Sequence, residues 1–186
     1  MSNHTIAPEV DRRQFLGATV AASAGLTLAF ALPGRDAEAA TTTTNVNTWL
    51  TIGTDDSITL TIGSSDMGQG SSAGLAQVLC EDLMVDPTRV KLVQGGPTLA
   101  TPAPIGTAIN TVGSGVTRNN FWRLRDAGAI ARETLVAAAM ARVGDASRSS
   151  YVVNNGTILH TPSGTALRYG DVAAAAALLT PPASAP

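Results

Sequence analysis

The sequence predicts an α+β fold, with hairpins and strands packed against two to three helices. Three observations carry this reading. Apolar residues alternate with period two near both ends of the 48–167 stretch. They recur at three- and four-residue spacing in two longer segments. Turn-forming residues separate the two patterns. In chain order, Thr48-Trp49-Leu50-Thr51-Ile52 alternates, Gly53-Thr54-Asp55-Asp56 supplies a turn, and Ser57–Ile62 alternates again with Ile58, Leu60 and Ile62 on one face. This is a hairpin with one buried side. Gly63–Ser72 is a loop rich in Gly and Ser. From Ser72 to Val85, Leu75, Leu79 and Leu83 fall every four residues, as on an amphipathic helix. Asp86-Pro87 is expected to end it, because a residue before proline avoids helical geometry.

Val90–Val93 reads as a strand. Gln94–Asn110, with three prolines and three glycines, reads as a long loop. A second helix is predicted over Thr117–Val143, where Phe121, Leu124, Gly128, Ala131, Leu135 and Ala138 form a face of mostly small residues suited to close packing. Tyr151–Val153 and Thr157–His160 flank Asn155-Gly156, a strong hairpin turn. A turn at Thr161–Gly164, a short strand at Thr165–Leu167 and an Ala-rich helix over Asp171–Leu179 follow. Pro181–Pro186 has the composition of a linker. There is no internal repeat.

Composition excludes several functions. The chain has 186 residues, 44% of them apolar, which suffices for a core. A net charge of -2 with no run of like charges gives no basis for binding nucleic acid. One cysteine, Cys80, makes no intrachain disulfide and holds no iron–sulfur cluster. Two histidines far apart, His4 and His160, do not supply a self-contained zinc site.

Residues 1–39 read as an export signal. Asp11-Arg12-Arg13-Gln14-Phe15-Leu16-Gly17 carries paired arginines. Ala18–Leu32 is apolar and uncharged, and Ala37-Glu38-Ala39-Ala40 offers a small-x-small cleavage site after Ala39. The apolar run is about 15 residues, short of the roughly 20 that span a bilayer. Paired arginines ahead of Phe-Leu mark the twin-arginine route and periplasmic delivery. That route takes proteins folded beforehand around a cofactor. With so few Cys, His and Met, an organic cofactor, or a metal carried by one, fits this chain best. Residues 40–47 read as a flexible leader.

Two segments carry candidate chemistry. Ser64–Ser72 leaves a strand and leads into a helix. Gly68 and Gly70 permit close backbone approach or positive φ, Gln69 can offer an amide donor and acceptor, and Asp66 is placed either to orient the loop or to lie exposed. Thr111–Arg118 repeats the logic with Gly113, Ser114, Gly115 and Thr117. Thr117 is a candidate N-cap there, and Arg118 can add charge toward a phosphate. Neither segment has dinucleotide or P-loop spacing. Two glycine-lined helix starts suggest one phosphate-bearing ligand between them.

On these residues the chain resembles the xanthine oxidase family of molybdenum hydroxylases. Asp66-Met67-Gly68-Gln69-Gly70 is similar to that family's Glu-Met-Gly-Gln-Gly loop, whose glutamine and following backbone contact the pyranopterin. Thr111–Thr117 is similar to its second cofactor loop, and Arg123–Ala129 to the helix that follows. A twin-arginine signal directly ahead of this segment resembles the exported branch, the isoquinoline 1-oxidoreductase β subunits and membrane-associated aldehyde dehydrogenases.

The resemblance implies a partial molybdopterin-binding domain over 48–180, with 181–186 as a linker-like tail. It implies cofactor contacts from Gly68, Gln69, Gly70, Gly113, Ser114, Gly115 and Thr117 to molybdopterin with molybdenum, in the cytosine dinucleotide form. Implied partners are the remaining large-subunit segment or chain, an iron–sulfur small subunit and a cytochrome c subunit. The implied reaction is hydroxylation of an aldehyde or N-heterocycle with water as oxygen source.

The departures are informative. Val116 stands where relatives often carry a second Ser. The family's catalytic glutamate follows Gly, whereas Glu81 and Glu133, the two glutamates beyond the signal, follow other residues and are expected on solvated helix faces. The chain is therefore expected to be incomplete on its own, with no catalytic residue. The alternatives are a noncatalytic exported docking subunit or a truncated remnant. Cys80 is expected to be a buried thiol, His160 a surface or turn residue, and Trp49 and Trp122 core or interface anchors.

Overall fold

The computed structural model describes residues 25–29, 48–94, 111 and 113–185. The paired arginines, the cleavage site, the leader at 40–47, the Trp49 side chain and the loop over 95–110 lie outside the described residues. The architecture is α+β. One four-stranded sheet runs β1 (Gly25–Ala29), β2 (Thr48–Gly53), β3 (Ile58–Ile62), β4 (Val90–Gln94). A second, antiparallel sheet runs β5 (Tyr151–Asn154), β6 (Thr157–His160), β7 (Thr165–Arg168). Helices α1 (Ser71–Leu83), α2 (Gly115–Val143) and α3 (Tyr169–Ala176) pack with them.

The predicted first hairpin forms with Leu50 opposite Leu60 and Ile52 opposite Ile58. Asp55 closes its turn by accepting from the Ser57 N–H at 3.0 Å and the Ser57 hydroxyl at 2.6 Å. Leu50, Ile52, Ile58, Leu60 and Ile62 then share one buried face. β3 pairs in parallel with β4, so the chain must return along the sheet between them, and α1 provides the return. Its Leu75, Leu79 and Leu83 are buried as their spacing predicts. Burial of each such leucine is worth about 1.5–3 kcal/mol. α2, 29 residues and about 43 Å long, lies against α1. Gly128 there sits so close that a Cβ would come within 2.5 Å of the Leu79 carbonyl oxygen. None of the described helices is long and apolar enough to cross a membrane.

Several expectations are corrected. α1 stops before Asp86-Pro87. Met84 adopts the left-handed conformation at its C-cap, and Pro87 instead heads a short 3-10 turn whose Thr88 N–H is accepted by Asp86 at 2.8 Å. α2 begins at Gly115, so Thr117 lies inside the first turn and does not cap it. α3 begins at Tyr169, two residues early, because the Asp171 carboxylate reaches back to the Arg168 N–H at 2.8 Å. Glu133 is not on a solvated face. It is gripped by Arg132 at 2.8 Å and Arg148 at 2.6 Å, with 14% of its side chain exposed. Glu81 is exposed as expected. Trp122 is no core anchor; it is 60% exposed, with Arg125 5.7 Å from its ring. Cys80 is buried, and that burial, with the Asp86 charge secondary, pushes its thiol up to about 11. Alkylation of Cys80 at pH 7 is therefore expected to await unfolding. Rapid labelling of the folded chain, followed by mass spectrometry, would contradict its placement.

His160 is the largest reversal among single residues. Only 6% exposed, it bonds Ser163 Oγ through Nδ1 at 2.6 Å and Asp145 through Nε2 at 2.9 Å, pinning the second sheet to the end of α2. The Tyr151 hydroxyl adds a bond to the Asp145 carbonyl at 3.0 Å. The His160 bond first, then the Ser147 N–H and the Ser150 hydroxyl, hold the Asp145 carboxyl down to about 2, against 3.8 ordinarily. A depressed carboxyl pKa stabilises above the unfolded value and loses that contribution as pH falls through the folded one. Melting temperatures of the protein and of Asp145→Asn should therefore differ above about pH 4 and converge toward pH 2. Parallel curves throughout would show that the pair does not matter.

Part of the apolar run expected to belong to the export signal also contributes structure. Gly25–Ala29 forms β1, antiparallel to β2, from Gly25 opposite Gly53 to Ala29 opposite Thr48, with an irregularity between Leu28 and Ala29. A short uncharged run meeting an unprotected strand edge pairs with it.

Candidate cofactor site

The loop from β3 to α1 is organised by Asp66. Its Oδ1 accepts from the N–H groups of Gly68 at 3.0 Å and Gly70 at 3.2 Å, and its Oδ2 from that of Ser72 at 3.3 Å. These bonds, Gly68 first, hold the carboxyl below its ordinary value. Asp66 thus orients the loop, one of the two roles open to it from sequence. The backbone turns through positive φ at Gly68 (96°) and Gly70 (70°), and the space above both is open, with no atom within 4 Å of where a Cβ would stand. Glycine is required here by backbone conformation, not by protein packing.

Gln69 is placed differently from the expectation that its amide is free for a ligand. Its Oε1 accepts from the Met67 N–H at 2.6 Å, and its Nε2 donates to the Ser65 carbonyl and Ser71 Oγ, each at 2.9 Å. The side chain braces the loop, and any ligand bond from this amide must replace one of these.

The second loop is tied to the first by Thr111, whose Oγ1 accepts from the Ser65 N–H at 3.0 Å and donates to the Ser65 carbonyl at 3.2 Å. Gln94, ending β4, donates to the Ser64 carbonyl at 3.0 Å. Gly113 (φ 58°) and Ser114 (φ 55°) are both left-handed. Ser114 is the N-cap of α2, and its side chain makes no capping bond. A left-handed N-cap is unusual, since capping residues are ordinarily extended. The N–H groups of Gly115, Val116 and Thr117 have no acceptor within the helix.

The two helix starts are therefore not equivalent. Asp66 already serves the start of α1, whereas among the described residues no side chain caps the start of α2.

The first turns of both helices border one open cavity of about 600 Å³. Of the sequence-predicted residues, Gln69, Gly70, Gly113, Ser114 and Thr117 line it, while Gly68 and Gly115 do not. Sequence reasoning missed Met67, Ser71, Gly74, Thr111 and Val116 in this lining. Ser71 and Thr111 carry the hydroxyls that a polar-residue count along the two loops would have found. Gly74 is inside α1, and its bare backbone widens the cavity by a turn. Val116, 8% exposed, presents apolar surface. Arg118 is exposed and not in the lining.

Among the described residues no lining side chain is charged, so an anion here would be held by N–H groups, hydroxyls and the α2 dipole. The volume lies within the range of roughly 300–1,000 Å³ common for small-molecule sites. Glycine backbones in open space, neutral donors and an uncapped helix start suit a flat heterocycle bearing a phosphate. Among the described residues no three His, Cys, Asp or Glu side chains cluster to bind a metal directly. A metal at this site would be carried by the ligand.

Comparison with known proteins gives concordant results. Residues 5–186 match the family described as molybdopterin cofactor-binding domain. The chain is 30% identical over 131 residues to the isoquinoline 1-oxidoreductase subunit beta of Brevundimonas diminuta, an alignment covering 69% of this chain and 16% of that protein. Among solved structures it resembles quinoline 2-oxidoreductase from Pseudomonas putida 86 (TM-score 0.52, 19% identity). It also resembles a Cu,Mo-CO dehydrogenase in its carbon monoxide-reduced state (TM-score 0.51, 17% identity). Each structural match covers 68% of this chain and 15% of the other. At these identities the structural likeness concerns the fold.

Proposed function

The chain belongs to the molybdopterin cofactor-binding domain family, and from that premise we propose that it forms one wall of the cofactor site in an exported molybdenum hydroxylase large subunit. The observation that carries the proposal is the start of α2, uncapped among the described residues, which opens with Gly70 and Gly113 onto one cavity whose described lining carries no charged side chain. The backbone of Gly70 and Gly113, the hydroxyls of Ser114 and Thr117, and the N–H groups of residues 115–117 would hold molybdopterin, which we assign as the cytosine dinucleotide form. Gln69 would keep the first loop in shape. When bound, the cofactor supplies molybdenum as a two-electron acceptor; the residues of this chain orient it and set its hydrogen bonding.

The reaction proposed is that of the exported branch, hydroxylation of an N-heterocycle or aldehyde carbon with water as oxygen source. The base that such a reaction needs lies elsewhere. Glu133 is held in ion pairs, and neither it nor Glu81 lines the cavity. The chain spans 16% of the length of the curated relative it matches, which supports placing the rest of the site on other sequence. We assign an iron–sulfur small subunit and a cytochrome c subunit as electron-transfer partners. Arg12-Arg13 and the cleavage site after Ala39 support twin-arginine export to the periplasm.

The test is to purify the tagged chain from its native host and measure molybdenum and co-purifying proteins. Stoichiometric molybdenum with a large partner carrying a Gly-Glu motif is the expected result. A lone chain without molybdenum would overturn the proposal and leave a docking subunit or a truncated remnant. A variant pair sharpens the test. Gly113→Ala and Gly144→Ala both force a left-handed alanine into open space (φ 58° and 86°), and each should cost about 1–2 kcal/mol of stability. Only Gly113→Ala places its methyl at the cavity, so it alone should lower molybdenum content, by about fivefold or more. Equal molybdenum in the two variants would remove Gly113 from the site.

A further inference from the structure

The outer edge of β2 is a second feature that neither the cavity nor the fold alone accounts for. Leu50 and Ile52 are fully buried, which fixes the strand against the core. The Gly53 N–H donates to the Ser57 carbonyl at 2.8 Å, on the β3 side. Backbone groups alternate in direction along an antiparallel strand, so those of Leu50 and Ile52 point the other way, toward β1. There the register sets them opposite Leu28 and Leu26.

The other described strands lie elsewhere. β3 and β4 continue the sheet on the far side, and β5–β7 form a separate one. Thr48–Gly53 also lacks charge and proline, the devices with which a strand edge turns other strands away. If Gly25–Ala29 departs with the export signal, two N–H and two carbonyl groups beside the core are left without partners, at a cost that favours any strand able to replace it.

We infer that the β2 edge is a strand-acceptor site, filled by Gly25–Ala29 in the uncut chain and afterwards by an extended, uncharged segment of the rest of the large subunit. The inference rests on the proposed function, which removes the first segment and places the remainder of the enzyme on other sequence. Main-chain pairing gives such a contact its affinity, and Gly25–Ala29 makes that pairing here with an uncharged sequence. The remainder of a large subunit offers such segments in number, since the matched relative is about six times the length of the region aligned here.

Hydrogen exchange of the full chain tests the edge itself. Leu26→Pro removes an N–H facing Ile52. Thr27→Pro removes one that faces away from β2 and serves as the control. The Leu50 and Ile52 amides should stay protected in the parent and in Thr27→Pro, and exchange about tenfold faster or more in Leu26→Pro, with the β3–β4 amides unchanged in all three. A synthetic peptide of residues 24–31, added to Leu26→Pro, should restore protection. Equal exchange in the two variants, or no effect of the peptide, overturns the inference.

The complex purified from the native host after signal removal supplies the decisive measurement, and decides alone if Leu26→Pro loosens the whole sheet. Protected Leu50 and Ile52 amides support a donated strand; open ones overturn it. Molybdenum measured on the same sample separates the two claims. An open edge with molybdenum present defeats the docking inference alone, and a protected edge without molybdenum defeats the cofactor reading alone.

Discussion

Tyr169→Ala is expected to cost about 3–5 kcal/mol, the range for truncating a large aromatic side chain in a core. Among the described residues Tyr169 is the largest fully buried side chain, and its hydroxyl donates to the Leu83 carbonyl at 2.6 Å. It therefore does two things at once. Its ring fills the space between α3 and the helices beneath, and its hydroxyl satisfies a carbonyl at the C-terminal end of α1 that no helical N–H can reach. Tyr169→Phe separates the two roles: the ring remains and the carbonyl is stranded, at about 1–3 kcal/mol. Chemical denaturation of both variants measures the split. Equal losses would show that the hydroxyl carries most of the effect, and a negligible loss in Tyr169→Phe would show that the carbonyl finds another donor.

Gly128→Ala is expected to cost about 1–3 kcal/mol, although alanine is the better helix former by roughly 1 kcal/mol. A Cβ at this position would stand 2.5 Å from the Leu79 carbonyl oxygen and 3.0 Å from the Leu83 nitrogen. Those are backbone atoms of α1, so relief requires the two helices to move apart. A domain of this size loses about 2–4 °C of melting temperature per kcal/mol. α1 and α2 also begin on opposite sides of the cavity, so separating them shifts Gly70 relative to Gly113. If the proposed function holds, Gly128→Ala should therefore reduce molybdenum retention as well as thermal stability. A variant that melts like the parent would mean that the helices are not in close contact here.

The α2 face shows how far the residues alone could be read. Small residues at three- and four-residue spacing predict close packing, and Gly128 against α1 is that packing. The same pattern could not place Glu133. Its partner Arg148 comes from beyond the end of the helix, and an ion pair across 15 residues leaves no periodic trace. His160 departs from expectation for a similar reason. A histidine ending a strand looks solvent-facing until Asp145 and Ser163 close on both ring nitrogens. At the site, glycines and hydroxyls beside helix starts were legible because they are local. The roles of Gln69 and Asp66 were not, because both depend on the three-dimensional path of a loop whose own backbone and Ser71 hydroxyl engage them.

Local chemistry in the sequence thus determined the α+β class, the two hairpins, the buried leucines of α1, the two glycine-bearing loops at the helix starts and the family likeness. Each rests on periodicity or on a run of contiguous residues. Tertiary structure alone decided that Asp66 serves the start of α1 while no described side chain caps that of α2, and that Thr111 ties the two loops together across 46 residues. It alone decided that Gly25–Ala29 takes the edge of β2. The reason is physical. Hydrogen-bond satisfaction and strand edges are settled between segments distant in sequence, and a pattern confined to one segment does not contain them.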